Sequence, residues 1–102
     1  MSTYEEARAK MIKQTRREIL AALAVMYGIG TMTFASICAA LTHLELPDEG
    51  VVKSDLTYLC ERGFVRWTNE RALMGWSLRV YKLTAKGKDI HDLIEHDPAL
   101  EP

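Results

Sequence analysis

Three histidines, two cysteines and two closely spaced glycines have the widest chemical reach in this 102-residue chain, and their spacing decides how much of it is usable. His91 and Glu95 stand four residues apart, so a helix would set them on one face, with His96 adjoining and His43 far off in the chain. A metal ion wants three or four converging ligands with a supporting shell, and two or three residues near the C-terminus fall short. Gly28-Ile29-Gly30 follows a helical pattern and lacks the third glycine of a dinucleotide loop, so it reads as a turn. Cys38 and Cys60 do not form a C-x-x-C pair, and both fall on apolar faces of predicted helices. Buried free thiols in a reducing compartment are expected there, with a disulfide or a reactive thiol as the alternatives. No serine, cysteine or lysine sits in a recognisable nucleophile setting. Neither enzymatic chemistry nor a cofactor is expected.

The elements that position these residues follow from periodicity. Tyr4, Ala7, Met11, Thr15, Ile19, Ala22 and Met26 recur at helical steps, predicting a long first helix over Thr3 to Tyr27. Glu5 and Glu6 suit its positive end, and Gly28 and Gly30 stop it. Thr31 or Thr33 can cap a second helix with the stripe Phe34, Ile37, Cys38, Leu41 and Leu44. Pro47-Asp48-Glu49 opens a third, on which Val52, Leu56, Leu59 and Gly63 share the buried face. Phe64 to Thr68 and Trp76 to Leu83 read as strands around the loop Asn69 to Gly75. Thr84 caps a last helix carrying Gly87, Ile90, Leu93 and Ile94 on one side.

With 48% apolar and 26% charged residues, the composition is that of a globular protein of one domain, residues 1–96, followed by a frayed tail over 97–102. No apolar run approaches the ~20 residues of a membrane span. The acidic, polar N-terminus is neither a signal nor a transit peptide, so a cytoplasmic protein is expected. The net charge is −1, so an anionic partner would have to be met by local clusters of cations and not by their total.

The run Leu56-Thr57-Tyr58-Leu59-Cys60-Glu61-Arg62-Gly63-Phe64-Val65 resembles the end of a winged-helix recognition helix entering its first wing strand. Tyr81-Lys82-Leu83-Thr84-Ala85-Lys86-Gly87 resembles the second wing strand entering the last helix. Bacterial repressors of the multiple-antibiotic-resistance and phenolic-acid types share both patterns, and the resemblance covers Ile19 to Ile94. The compact size, with a long first helix and a short last one, is also similar to small winged-helix proteins of Mu-like prophages. The implied architecture is a mainly α winged helix-turn-helix with a small β-hairpin, in the order α-α-α-β-β-α.

That resemblance implies a regulator of bacterial or phage transcription that binds double-stranded DNA. On the third helix Lys53, Ser54, Thr57 and Tyr58 become candidate groove contacts, and in the wing Arg66, Arg71, Arg79 and Lys82 become candidate phosphate contacts. Solvated strand charges are the plainer reading of the four wing cations. Asp48, Glu49, Asp55 and Glu61 make the third helix net acidic, which departs from the usual pattern. It favours a protein-interaction module of the same fold as the alternative function. Tyr4, Ala7 and Met11 extend the apolar stripe of the first helix beyond the expected core, with Lys10, Lys13, Arg16 and Arg17 between them. Pairing with a second copy through terminal helices is expected, unless the stripe folds back on its own domain. Trp67 and Trp76 are expected in the core and not in base stacking. Leu73 and Met74 either contact a partner or fold onto the sheet.

Overall fold

Apolar periodicity, two threonine caps and two glycines account for most of the architecture. The computed structural model describes residues 3–41, 49–71 and 75–92, the side chains of 8–13 excepted. Along the chain run α1 (Thr3–Val25), β1 (Met32–Thr33), α2 (Phe34–Ala40), α3 (Glu49–Glu61), β2 (Val65–Arg71), β3 (Ser77–Leu83) and α4 (Ala85–His91). The expected contributions of Leu44, Pro47 and Asp48, the hairpin residues Leu73 and Met74, His43, and everything from Leu93 through the 97–102 tail lie outside the described residues, as do the side chains of Lys10, Met11 and Lys13.

Among the described side chains of α1 the buried ones are Thr15, Ile19, Leu20 and Leu23, on one face of the second half of the helix. Tyr4 and Ala7, in the first half, are exposed. Thr33 begins α2 by accepting a hydrogen bond from the Ser36 amide at 3.1 Å, the second of the two expected caps. Ile37 and Leu41 point into the core with Val52, Leu56 and Leu59 of α3. At the end of α3 the Phe64 amide reaches the Leu59 carbonyl and the Gly63 amide reaches that of Cys60, both at 3.0 Å. Gly63 sits there at φ 79°, the left-handed turn that lets a helix stop and a strand begin.

Thr84 binds the far end of the hairpin to this turn. Its hydroxyl donates to the Gly63 carbonyl at 2.6 Å and accepts from the Gly87 amide at 3.0 Å, capping α4. Its own amide donates to the Phe64 carbonyl at 3.1 Å. A side chain at Gly87 would collide with that same carbonyl, so the position has room only for hydrogen.

The sheet has the order β1-β3-β2, antiparallel throughout. β2 and β3 pair from Val65 with Leu83 out to Arg71 with Ser77. Met32 and Thr33 pair with Tyr81 and Val80 on the other edge of β3. Three expectations are corrected here. A third strand, β1, joins the hairpin. β2 continues through Asn69–Arg71, residues expected in a loop, because cross-strand pairing overrides their weak strand preference. The tryptophans are not core residues: Trp67 is 44% exposed and Trp76 75%. Only Val65 of β2 is buried, and in β3 only Val80, Tyr81 and Leu83, so aromatic size does not translate into burial along the rest of the hairpin.

Candidate nucleic-acid interface

The face of α3 opposite Val52, Leu56 and Leu59 presents Gly50, Lys53, Ser54, Thr57 and Glu61 to solvent. Thr57 returns its hydroxyl proton to the Lys53 carbonyl one turn back, at 2.9 Å, which leaves the oxygen free to accept. Tyr58 is not on this face. It is half-buried, with the Arg16 guanidinium 3.8 Å from its ring centroid, so its expected place among the outward contacts is corrected.

The acidity expected of α3 is also redistributed. Asp55 is 3% exposed and accepts a hydrogen bond from Arg16 Nε at 3.1 Å, so its charge is spent inside the molecule. Burial pushes the Asp55 carboxyl above its ordinary range, against the weaker lowering pull of the Arg16 hydrogen bond and charge. Among the described residues of α3, the outward carboxylates are Glu49 at the start of the helix and Glu61 at its end, with Lys53, Ser54 and Thr57 between them.

Four cations stand on the hairpin, all exposed: Arg66, Arg71, Arg79 and Lys82, against the one carboxylate of Glu70. None of the four is ion-paired among the described residues. Strand alternation divides them. Trp67 and Arg71 share the core-directed face with Val65, as do Arg79 and Tyr81 with Leu83; Arg66 and Lys82 face each other on the opposite side. On the first of these faces the Arg79 guanidinium stacks 3.9 Å from the Trp67 ring centroid. Trp67, Arg79 and Tyr81 form one wall of an open groove of about 340 Å³, and Leu56, Thr57, Cys60 and Glu61 of α3 form the other. Burial raises the Cys60 thiol, opposed by Arg79 and aided by Glu61, and burial with the charge of Glu49 raises Cys38, which favours the protonated form of both.

Sequence reasoning missed Trp67 and Arg16 as members of this region. The register that sets Trp67 diagonal to Arg79 could have been derived from the hairpin pattern, whereas Arg16 meets α3 only through the tertiary fold.

No family model and no curated protein matches the chain. Solved structures do match it. TA0346 of Thermoplasma acidophilum, described as a proposed transcriptional regulator, superimposes with a TM-score of 0.68 at 25% identity, over 80% of this chain and 77% of its own. A PadR family transcription regulator of Clostridium difficile R20291 gives 0.66 at 17% identity, over 78% of this chain and 81% of its own. This chain has the winged helix-turn-helix fold. Bacillus subtilis PadR, solved in complex with operator DNA, gives 0.62 at 21% identity over 81% of this chain, which spans 49% of that protein. The first two of these neighbours are described as transcription regulators and not as enzymes. In this winged-helix chain α2 and α3 make up the helix-turn-helix, and β2 with β3 makes the wing. No helix among the described residues is long and apolar enough to cross a membrane.

Proposed function

We propose that this winged-helix protein is a DNA-binding transcription regulator of a bacterium or phage, working in the cytoplasm as a homodimer. The observation that carries the reading is a polar outward helix face, Lys53, Ser54 and Thr57, beside a wing whose cations have no carboxylate partners among the described residues. In a duplex complex α3 enters the major groove, where lysine and hydroxyl side chains meet base edges, while Arg71 and Arg79 hold phosphates. The operator complex of Bacillus subtilis PadR supports this docking by likeness of fold. The exposed Tyr4 and Ala7 on α1, with Met11 on the same stripe in sequence, supply the surface for the second copy. Terminal-helix pairing then sets two α3 helices against successive turns of DNA.

Gel shift with random genomic fragments at low salt tests the reading, and binding is expected to weaken as salt rises. Replacing Arg71 and Arg79 together by alanine is expected to lower the slope of log affinity against log salt by about 2, roughly one for each lost phosphate contact. Unchanged affinity in that variant rules out the wing as a contact. The exposed Trp76 and Leu78, together with the net charge of −1, favour a protein-interaction module as the second reading. Absence of any duplex binding at low salt would decide for it.

A further inference from the structure

The groove between α3 and the wing contains an arginine covered on one side by an indole. The Arg79 guanidinium carbon lies over the Trp67 ring, 3.9 Å from the centroid, so the ring covers one side of the charge. None of the guanidinium N–H groups has a hydrogen-bond or ion-pair partner among the described residues. The indole keeps water off one side of the charge and restricts the side chain, so less freedom is lost when an anion arrives. Arg66 and Lys82 stand in contrast. They oppose each other directly across the hairpin on the face turned away from this groove, a like-charge pair that gains nothing from its neighbours.

We propose that Trp67 is a positioning residue for phosphate binding: it holds the Arg79 guanidinium in the groove between α3 and the wing, where the backbone of a duplex read by α3 is gripped, while Arg66 and Lys82 take no part. The inference rests on the DNA-binding reading above. It goes beyond that reading by giving Trp67 a part in the grip and by excluding Arg66 and Lys82.

The test is fluorescence anisotropy with a labelled mixed-sequence duplex of about 30 base pairs, titrated between about 50 and 200 mM salt. Arg79→Ala is expected to lower the log–log salt slope by about 1. Trp67→Leu, which changes no charge, is expected to weaken binding about fivefold to tenfold, and Trp67→Phe to recover most of that loss because a ring is restored. In an Arg79→Ala background Trp67→Leu is expected to add nothing, whereas a merely structural role would add its full loss. The Arg66→Ala, Lys82→Ala double variant is expected to stay within about twofold of the parent. Additive losses, parental affinity in Trp67→Leu, or a loss in the double variant equal to that of Arg79→Ala would each overturn the proposal while leaving DNA binding intact. Failure of the parent chain to bind the duplex overturns both.

Discussion

Arg16 of α1 donates its Nε hydrogen to Asp55 Oδ1 of α3 at 3.1 Å, and its guanidinium covers the Tyr58 ring one turn further along. One side chain of the long helix therefore holds two positions of the helix that presents Lys53, Ser54 and Thr57. The pair is unequal. Asp55 is nearly sealed, with Oδ2 lacking a hydrogen-bond partner among the described residues, while Arg16 keeps 18% of its side chain in solvent. Arg16→Ala strands a buried carboxylate and is expected to cost about 3 kcal/mol. Asp55→Ala leaves a cation that still reaches water and aromatic surface, and about 1–2 kcal/mol is expected. Urea unfolding of the two variants at neutral pH checks the order, and equal losses would mean that Asp55 does not depend on Arg16.

The same carboxyl gives stability a sign with pH. Burial raises the folded-state Asp55 above its unfolded value, so between the two values the folded chain binds the proton more tightly. Asp55 therefore contributes most below the unfolded value and progressively less as pH rises through the folded one. The stability of the parent relative to Asp55→Asn is expected to decline across that rise. The loss in Arg16→Ala is expected to shrink toward acid pH, where Asp55 is protonated and no longer needs a cation. Denaturation curves taken at a series of pH values from acid to neutral read both trends.

Two glycines are expected to fail for different reasons. Gly87→Ala drives a methyl into the Phe64 carbonyl and the Leu83 side chain, and a loss of about 2–3 kcal/mol is expected from overpacking. Gly63→Ala meets no atom nearby but keeps φ at 79°, so the backbone alone costs about 1 kcal/mol. Thermal melts of the two variants should separate steric from conformational loss, with the Gly87 variant lower.

Glu61 lies in the groove with Arg79 and repels any phosphate brought there. Glu61→Gln is expected to raise duplex affinity about twofold to fivefold at low salt, the effect of removing one exposed charge, and to lose that gain as salt rises. Anisotropy titrations at two salt concentrations measure it.

Introducing charge at the two exposed positions Tyr4 and Ala7 of α1, Tyr4→Glu with Ala7→Glu, is expected to turn a dimer into monomers without lowering the stability of the single chain. Both positions are exposed and precede the first buried residue of the helix among the described side chains, Thr15. Sedimentation velocity across a concentration series shows the shift, and an unchanged monomer in the parent chain would remove the homodimer from the proposal.

The four helices and the hairpin were legible because each carries its own signal: apolar steps on α1 and α3, threonine caps on α2 and α4, and glycine at position 63 where helix becomes strand. What was not legible depends on partners distant in sequence. Met32 and Thr33 are too short a run to show alternation, and they become a strand only because β3 offers a free edge. Asp55 was counted as surface acid because nothing near it in the chain reveals Arg16, 39 residues away. Trp67 has the parity of a core residue, yet it stays 44% exposed on an open groove that it shares with α3, and Arg79 lies over its ring. The candidate site was readable as a list of cations. Its division into two faces needed the hairpin register.

The short strand β1 has a mechanical effect larger than its size. Thr33 pairs with Val80 in the sheet and also caps α2, so a single residue ties the wing to the helix preceding α3. A hairpin fastened only beside Gly63 and Thr84 could swing like a hinge, but this one is latched on both sides of its second strand. The span between α3 and the wing is therefore held from both edges of β3, as the opening of a caliper is held by its screw. In the proposed complex, a duplex whose base and backbone contacts are spaced differently would have to deform to fit, and its stiffness would enter the selection.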